Sequence, residues 1–558
     1  MKRRRRLLSL LLLILTLFYL LIRSRWRRVK EKIVIVGGGI AGLAAAHALR
    51  HAADVTILEA QSRVGGRIRT NRSMGFPVEL GAVWIHRATH NVISALADEF
   101  GCRRFVTENK RIALFDDAGQ RVAESEVVES YKRLTQYVMP ALLRKRATLL
   151  RKRKARLKEP NKDVSLAAVL KPILSAEHQH TQSSKQRRCT LDYLLYRHVV
   201  QDHAVGLAKS SAKAYDMDYY GGNGKDELLP HGYDCIVRRM AKGLKIKRGQ
   251  VASHVRWANA STRVATVDGS VYEADRVIVT VPLGVLKAGL AATSTPPPMG
   301  ALRFEPPLPV RTQRAVRRLG YAEHAHHVAL RFKHAFWPID VHFVGRVFGG
   351  CSRLGSSHHL EFLNVMRYRP EAPVLLLMST ASTARFLTNL TDTATVEWVM
   401  ARLKEMFPND CPTMPERYIV HRGETNAFQR GAWSYTPTGA PGVTLRRAFH
   451  HTADSSWAST PRLVLAGEHT SELHPGTVHG ALVSGRQAAH QLLEAIHHDR
   501  ISRQWWWLRW WWGGGGAAKG GGGGGAGYLE RYLESLLRNI GTDQEEGEDS
   551  EFVWDRNP

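Results

Sequence analysis

The sequence predicts an α/β fold, and three observations lead to this prediction. Residues 33–36 are four consecutive β-branched residues, which suit a strand that is buried on both faces. They are followed by Gly37-Gly38-Gly39-Ile40-Ala41-Gly42 and by an alanine-rich, helix-forming run at 43–49. A second apolar strand, 55–58, ends at Glu59. Strand, glycine turn, helix and strand together predict a Rossmann-like βαβ unit that binds a dinucleotide.

Each glycine of this unit has a physical task. Gly37 permits the tight turn, Gly39 lets the backbone approach a pyrophosphate, and Gly42 lets the helix pack close to the strand. The pyrophosphate would lie at the N-terminus of the helix, where backbone N–H groups have no partner within the helix. Glu59 is placed to accept hydrogen bonds from the adenosine ribose. The alternative interpretation is a tight turn in an unrelated α/β unit.

The net charge of the chain is concentrated in two segments. The 558 residues include 80 Lys+Arg and 50 Asp+Glu, for a net charge of +30, and 44% of them are hydrophobic. Residues 1–32 contribute a net +10, and residues 144–158 contribute nine basic residues without an acidic one. Because the excess is local, nucleic acid is not the expected partner. Residues 144–158 form either a solvated helical face or a contact with an anionic membrane or a partner protein.

The N-terminus predicts a membrane anchor. Residues 7–22 are apolar except for Ser9, Thr16 and Tyr19, and arginines flank them on both sides. As a helix they would span about 24 Å, somewhat less than the ~30 Å hydrocarbon core, and the arginines can snorkel to the interfaces. No small-residue cleavage site follows, which favours an uncleaved single-pass transmembrane helix over a cleaved signal peptide. Basic residues on both flanks leave the membrane and the orientation open.

The cysteines and glycosylation motifs leave the compartment open. The cysteines are scattered singly, without metal or redox spacing, and their odd number predicts no disulfide framework. They are Cys102, Cys189, Cys235, Cys351 and Cys411. Asn71, Asn259 and Asn389 each begin an Asn-x-Ser/Thr motif, and three such motifs in a chain of this length can arise by chance.

Beyond the first βαβ unit, patterns of hydrophobic residues predict further elements. Helices are expected at 92–100, 131–157, 232–244 and 395–406, and residues 183–220 are polar and helical without recognisable chemistry. Strands are expected at 246–257, 262–267, 271–272, 277–281, 327–332, 374–378 and 463–466, with a hairpin turn at Asp268-Gly269.

The C-terminal segment, 499–558, has its own composition. Six tryptophans lie within residues 505–512, a glycine-rich linker covers 513–527, an apolar helical face is expected at 528–540, and 543–551 is acidic. The tryptophans would suit a membrane interface. The alternative is an unstructured low-complexity tail.

Five stretches resemble the flavin-dependent amine oxidases, a family that includes polyamine oxidases, monoamine oxidases and lysine-specific histone demethylases. They are EAQSRVGGRIRT (59–70), ELGAVWIH (79–86), VIVTVPLGVLK (277–287), RGAWSY (430–435) and LAGEHTSELHPGTVHGALVSG (465–485). The resemblance extends over about 33–496, and ELGAVWIH is most similar to polyamine oxidases.

The resemblance implies an FAD-binding domain interleaved with an α+β substrate domain. The FAD-binding domain would comprise 33–110, 230–300 and 460–498, and the substrate domain 111–229 and 301–459. Residues 1–32 would be the anchor, and 499–558 the tail.

The resemblance also implies FAD as the cofactor and assigns residues to it. The adenosine half would be held by Gly37, Gly39, Gly42 and Glu59, with Val251 near the adenine. Arg63 and Arg67 would offset phosphate charge, while Gly65 and Gly66 would let the backbone close over the cofactor. Gly81, Ala82, Val83 and Trp84 would line the flavin ring, Glu468 would meet the ribityl or phosphate region, and Thr477 and Val478 would lie at the pyrimidine end.

The implied activity is that of an FAD-dependent oxidoreductase. In the family, a hydride equivalent leaves the carbon beside a neutral amine, oxygen reoxidises the flavin to give hydrogen peroxide, and the imine hydrolyses. Trp433 matches an aromatic wall of the substrate site, and Thr477 lies opposite. The expected partners are therefore an amine, with a polyamine as one candidate, oxygen and, through the N-terminal helix, a lipid bilayer. Alternatives are a flavin oxidoreductase with a non-amine substrate and a flavin-binding scaffold with little catalysis.

Three positions differ from the family pattern. Arg87 stands where a glycine is expected after WIH, and Gly423 stands where a tryptophan is expected. In the family, a lysine commonly hydrogen-bonds through water to flavin N5. His327 stands at that position in this chain, which has one inserted residue upstream of it. His327 is thus a candidate catalytic residue. The alternative is that His324, His326 and His327 are loop histidines away from the flavin.

Overall fold

The computed structural model describes residues 30–154, 163–181, 184–215, 224–258, 261–294, 297–322, 324–350, 359–450 and 461–513. The chain separates into two compact units, Met1–His498 and Asp499–Pro558. In the second unit the described residues are 499–513, which end the helix Val478–Gly513. The tryptophans at 505–512 therefore lie in a helical backbone, while the amphipathic helix expected at 528–540 lies outside the described residues.

The predicted βαβ unit forms the centre of a five-stranded parallel sheet. Across the sheet the strands are Leu463–Leu465, Arg276–Val279, Glu31–Val36, Ala53–Glu59 and Ile246–Arg248. Residues 33–36 are at most 3% exposed, as expected for a strand covered on both faces. The helix Ile40–Leu49 connects the two strands that were recognised from the sequence. The α/β fold class is confirmed.

A four-stranded sheet corrects one sequence prediction. The strand expected at 246–257 is two strands, Ile246–Arg248 in the parallel sheet and Ala252–Ala258 in the second sheet. Gly249, with φ of +72°, turns the chain between them, a conformation that glycine adopts without strain. The other strands are Ser261–Thr266, Val271–Ala274 and Arg303–Glu305. The hairpin predicted at Asp268-Gly269 connects the first two of these.

A six-stranded sheet forms the second large layer. In order its strands are Arg417–Arg422, Ala325–Arg331, Val374–Thr380, Leu360–Asn364, Phe343–Arg346 and Ile112–Phe115. All seven residues of Val374–Thr380 are buried, so this strand is central to the core. Ala325–Arg331, which carries His327, pairs in antiparallel fashion with Val374–Thr380 and with Arg417–Arg422.

Met1–His498 also contains shorter strands and further helices. The short strands are Thr70–Asn71, Val78–Glu79, Trp84–Ile85, Phe105–Val106, Glu227–Leu228, Gly320–Tyr321 and Ser434–Tyr435. The further α-helices are Val92–Glu99, Leu166–Thr181, Asp234–Ala241, Leu283–Ala291, Val310–Arg318, Ala381–Thr388, Asp392–Met406 and Gly442–Arg447. Two 3-10 turns are Val365–Arg367 and Glu468–Thr470.

Two helical regions differ from expectation. A single helix was predicted at 131–157. The structure instead has three consecutive elements, the helix Glu124–Arg133, a π-helical turn at Leu134–Val138 and the helix Met139–Lys154. The polar stretch 183–220 contains Lys185–Leu195, a π-helical turn Tyr196–Val200 and Gln201–His203. This second region is core rather than a polar surface, because its aromatic and aliphatic side chains are buried, with Tyr193 and Tyr196 fully so.

A disulfide joins Cys102 to Cys235, which are 133 residues apart in sequence. The expectation that the scattered cysteines form no disulfide framework was therefore wrong for this pair. The bond forms because the segment after Val92–Glu99 lies beside the helix Asp234–Ala241, a proximity that sequence spacing does not show. Cys189 is also disulfide-bonded, while Cys411 is free and buried.

In the part of the chain that the structure describes, no helix has both the length and the apolar character needed to cross a membrane. The anchor predicted at residues 7–22 lies outside the described residues.

Candidate active site

A cavity of about 410 Å³ lies beside the parallel sheet and extends to the six-stranded sheet. Nearly all of the residues predicted to contact a cofactor or substrate line it. These are Gly37, Gly39, Glu59, Gly65, Gly66, Arg67, Gly81, Ala82, Val83, Trp84, Val251, His327, Trp433, Glu468, Thr477 and Val478. Two predicted residues, Gly42 and Arg63, do not line it. Segments that are far apart in sequence thus meet at one site.

The glycine loop leaves space where a phosphate would approach. Gly37 has φ of +112°, and a Cβ there would lie 2.5 Å from Thr280 Oγ1. A Cβ on Gly42 would lie 2.0 Å from the Gly37 carbonyl oxygen, so Gly42 allows the close helix packing predicted for it without touching the cavity. A Cβ on Gly39 would meet nothing within 4 Å. Gly39 is also the N-cap residue of the helix Ile40–Leu49, and no side chain accepts a hydrogen bond from the first turn of this helix. The backbone N–H groups of that turn are therefore available to an anion.

Glu59 is held rigidly at the edge of this loop. Its carboxylate accepts hydrogen bonds from the Gly38 N–H, at 2.7 Å, and from the Gln61 N–H, at 2.8 Å. Burial raises the pKa of Glu59, although these two hydrogen bonds oppose the shift. With open space at Gly39 and an oriented carboxylate at Glu59, the residues present fit the adenosine diphosphate half of FAD.

Arg63 does not have the predicted contact with the cavity. Its guanidinium donates to three backbone carbonyl oxygens of its own loop, those of Val64, Gly66 and Ile68, at 2.7 to 3.2 Å. These carbonyls would otherwise lack donors, which explains why the side chain turns inward. Arg63 therefore stabilises the loop that carries Gly65 and Gly66 and does not face a phosphate.

An ion pair between Arg67 and Glu468 connects three segments of the site. Their charged atoms are 2.8 Å apart, and Glu468 is only 3% exposed. Burial would raise the pKa of Glu468, but Arg67, His469 and hydrogen bonding lower it to about 2. Glu468 also accepts hydrogen bonds from Ser434 Oγ and from the Gly476 N–H, at 2.7 and 2.9 Å. The positive charge of Arg67 is thus compensated within the protein.

Trp433 and Thr477 lie on the segments that this ion pair holds. Trp433 Nε1 donates to the carbonyl oxygen of Asp202 at 2.8 Å, which fixes the indole. Gly476, with φ of +75°, approaches the indole so closely that a Cβ would lie 2.9 Å from it. Thr477 Oγ1 accepts the Gly480 N–H at 3.0 Å and caps the helix Val478–Gly513. The positive end of that helix dipole therefore borders the cavity.

Two histidines lie side by side on the wall formed by the six-stranded sheet. His327 and His421 are register partners on adjacent strands, and both line the cavity. Burial, aided by His326, lowers the pKa of His327 to about 4, and burial, aided by His327, lowers that of His421 to about 3. Both are neutral at physiological pH. Arg69 lies 3.0 Å from His421 Nδ1 and can only donate, so the proton of His421 is on Nε2.

His326 and His327 lie within the strand Ala325–Arg331, not in a loop as the alternative interpretation had it. The role of His327 toward the flavin stays a prediction. His421 was missed from the sequence, because only the strand register reveals that it is the neighbour of His327.

The two other departures from the family pattern have structural explanations. Arg87 has φ of +45°, a left-handed conformation that favours glycine, and its N–H donates to Asp226 Oδ1 at 2.9 Å. The glycine-like backbone is thus retained, with a cation on the cavity wall. A Cβ on Gly423 would lie 2.7 Å from Gln429 Nε2 and 2.8 Å from the Gly431 carbonyl oxygen, which leaves no room for an indole.

Asp202 is the principal site residue that the sequence did not indicate. Asp202 lines the cavity, and no described residue donates a hydrogen bond to its carboxylate. Burial holds the pKa of Asp202 well above its ordinary value, although His86 opposes the shift. His86 pairs with Asp226 at 3.2 Å; burial acts to lower the pKa of His86, but Asp226 and Asp202 together raise it. Asp202 lies in a stretch without a motif, so no sequence signal could have identified it.

Residues 40–493 match the family model described as flavin containing amine oxidoreductase. The chain belongs to this family. This flavin amine oxidoreductase is therefore an oxidoreductase with FAD as its cofactor. The predicted family resemblance is confirmed.

Polyamine oxidases are among the similar proteins. Polyamine oxidase 4 of Oryza sativa subsp. japonica is 30% identical over 479 residues, which cover 83% of this chain and 89% of that protein. Polyamine oxidase 2 of Arabidopsis thaliana is 28% identical over 486 residues, which cover 84% of this chain and 89% of that protein. Lysine-specific histone demethylase 2 of Homo sapiens is 28% identical over 473 residues, 83% of this chain and 53% of that protein.

A solved structure of putrescine oxidase bound to putrescine has the same fold as this flavin amine oxidoreductase. The TM-score is 0.61, with 19% sequence identity and coverage of 84% of this chain and 99% of that chain.

Proposed function

We propose that this flavin amine oxidoreductase oxidises a C–N bond of an amine, with a polyamine as the preferred substrate class and oxygen as the electron acceptor. The products are an imine, which hydrolyses to an aldehyde, and hydrogen peroxide. The observation that carries the proposal is that Asp202 lines the cavity and that no described residue donates a hydrogen bond to its carboxylate.

A desolvated carboxylate without a donor is costly, and an ammonium group would neutralise it. A polyamine has several nitrogens, so one ammonium can bind Asp202 while a second, neutral nitrogen lies at the reacting position. Trp84 and Trp433 also line the cavity and offer aromatic faces, which attract a cation on entry. These residues therefore favour a substrate with separated amines over a single amine.

Bound FAD supplies the acceptor for the hydride equivalent. The remaining tasks belong to the protein: to desolvate the amine, to orient it and to keep its reacting nitrogen neutral. His327 and His421 are neutral, so the cavity wall formed by the six-stranded sheet carries no positive charge at these two residues that would repel an amine. A neutral imidazole also has an acceptor nitrogen, and on His327 it can accept a hydrogen bond from the amine N–H.

The test is anaerobic mixing of the purified holoenzyme with spermine, spermidine, putrescine, benzylamine and a methylated-lysine peptide. We expect spermine or spermidine to bleach the visible flavin absorbance fastest, and we expect peroxide in amounts matching the oxidised amine when air is readmitted. If no amine bleaches the flavin, or if a non-amine alcohol does so instead, the proposal is wrong. Fastest bleaching by benzylamine or by the peptide would retain amine oxidation and reject the polyamine preference.

We also propose that residues 7–22 anchor the protein in a membrane and that its catalytic unit faces an oxidising compartment. The apolar run supports the first part. The Cys102–Cys235 disulfide supports the second, because disulfides persist outside the cytosol. Asn389 begins a glycosylation motif and is exposed at the C-terminal end of Ala381–Thr388.

Deletion of residues 1–30 should move the protein from the membrane pellet to the supernatant. A glycosidase should lower the apparent mass of the full chain but not that of an Asn389→Gln variant, unless another motif is also modified. A deleted chain that still pellets after an alkaline wash would place the attachment elsewhere. Cytosolic protease accessibility of the catalytic unit would contradict the second part.

A further inference from the structure

Two histidines, a glutamate and a threonine converge on the side of the strand Ala325–Arg331 that is opposite to His327. His324 Nδ1, His326 Nε2 and a Glu424 carboxylate oxygen all lie within 4.8 Å of one another. The alternation of side chains along the strand Ala325–Arg331 places His326 and His327 on opposite faces, and His324 immediately precedes the strand. Glu424 follows the neighbouring strand Arg417–Arg422, and Thr388 ends the helix Ala381–Thr388.

The distances in this cluster are close to those between the ligands of one metal ion. His326 Nε2 is 2.5 Å and His324 Nδ1 is 3.8 Å from Glu424 Oε1. Two ligands of a tetrahedral zinc ion lie about 3.3 Å apart, since each bond is about 2.0–2.1 Å long. Small side-chain rotations would therefore suffice. Thr388 Oγ1 lies 2.8 to 3.2 Å from all three ligand atoms, in the region that a metal or a fourth ligand would occupy.

The charges of the cluster also favour a cation. The ion pairs of Glu424 are with histidines only, and no described lysine or arginine nitrogen lies within 4.0 Å of its carboxylate. Glu424 Oε2 is buried and has no hydrogen-bond partner. His326 is fully buried, and its Nδ1 likewise lacks a partner. The C-terminal end of Ala381–Thr388 adds the negative end of a helix dipole.

We propose that His324, His326 and Glu424 bind one divalent transition-metal ion, with Zn²⁺ as the best match to two imidazoles and a carboxylate. Thr388 or a water molecule completes four-coordination. The ion joins the strand that carries His327 to the end of the strand that carries His421, and so fixes the two strands whose histidines line the cavity. The role of the ion is structural. His326 is among the residues that line the cavity, but the proposed amine oxidation does not use it, so the proposal stands independently of the proposed function.

The experiment uses the purified holoenzyme after dialysis against a chelator. Zinc is restored by equilibrium dialysis and counted per chain by mass spectrometry, and Co²⁺ is added in a parallel sample to record its visible bands beyond the flavin absorption. We expect one tightly bound zinc per chain, tetrahedral cobalt bands that zinc displaces, and a higher melting temperature with zinc than without it.

Variants locate the ion. His326→Gln and Glu424→Gln should each weaken zinc binding by at least about 100-fold, since ligand loss exceeds the 10–100-fold effect of losing an outer-shell partner. His254→Gln is the matched control, because His254 also lies near a glutamate, at 3.5 Å from Glu305, but on the surface. It should bind zinc as the parent does.

Several results would overturn the proposal. These are less than half an equivalent of zinc on the parent protein, weak binding that is equal in all three variants, or cobalt bands of octahedral, water-rich form. If a ligand variant does not fold, the zinc stoichiometry and cobalt spectrum of the parent protein still decide. The rival explanation is that the histidines and Glu424 only hydrogen-bond to one another and bind no metal. It predicts less than half an equivalent of zinc on the parent protein.

Discussion

The two ends of the cavity are built in different ways. The nucleotide end comes from 23 consecutive residues, 37–59, in which turn, helix and strand lengths bring Gly39 and Glu59 together. The substrate end combines Asp202, His327 and Trp433, which come from segments more than 100 residues apart. Residue spacing therefore encodes the first end, whereas only tertiary packing creates the second.

The largest expected effect is at the nucleotide end. We expect Glu59→Arg to abolish FAD retention, because it replaces a carboxylate that two backbone N–H groups orient with a cation that cannot accept a hydrogen bond. The measurement is the flavin-to-protein ratio after gel filtration. The control is Glu99→Arg, with the same charge change on an exposed residue. A Glu59→Arg protein that stays folded and keeps its full yellow colour would contradict the assignment of this end.

What the sequence could predict follows the same division. The buried strand, the glycine turn and the acid that closes the unit follow from local rules, and they were found correctly. Arg63 lines no part of the cavity, because the carbonyls of its own loop bind the guanidinium, a competition that a motif does not reveal. Asp202, His421 and the Cys102–Cys235 bond depend on contacts between distant segments. The domain boundaries and the membrane anchor stay predictions.

The substrate end should make stability sensitive to acid. Burial lowers the pKa of His327 and His203 to about 4, and that of His421 and His479 to about 3. Below their ordinary pKa of about 6.5, the unfolded chain binds protons that the folded chain does not. Each histidine should therefore cost about 1.4 kcal/mol of stability per pH unit as the pH falls toward its folded pKa.

Urea unfolding of the holoenzyme between about pH 7.5 and pH 5 measures this effect, because tryptophan fluorescence reports the midpoint. We expect the free energy of unfolding to fall steeply below about pH 6.5. His421→Gln removes one of these four histidines. The part of the pH dependence of the free energy of unfolding that the four histidines cause should therefore fall by about a quarter. A stability that stays constant down to about pH 5 would show that these histidines are accessible to protons in the folded protein.

A smaller effect is expected at His327. His327→Ala should slow the reoxidation of reduced flavin by oxygen more than its reduction by amine, by up to about tenfold, since a hydrogen bond contributes about 0.5–1.5 kcal/mol and a bridging water can mediate it. Stopped-flow absorbance separates the two steps, and His334→Ala, at an exposed histidine after the same strand, is the control. Unchanged reoxidation would remove His327 from the site. Faster amine oxidation by His327→Lys would show that the family position is correctly assigned.

The central claim is that Asp202 recognises an amine in this cavity. The most direct measurement is the rate of anaerobic flavin reduction against substrate concentration, for the parent protein and for Asp202→Asn, with a polyamine and with a monoamine. We expect the polyamine to lose about 10- to 100-fold in its apparent second-order rate constant, since a hydrogen bond to a charged group contributes about 1.5–3 kcal/mol, and the monoamine to lose much less. Equal rate constants for the variant and the parent, or equal losses for both amines, would contradict the claim.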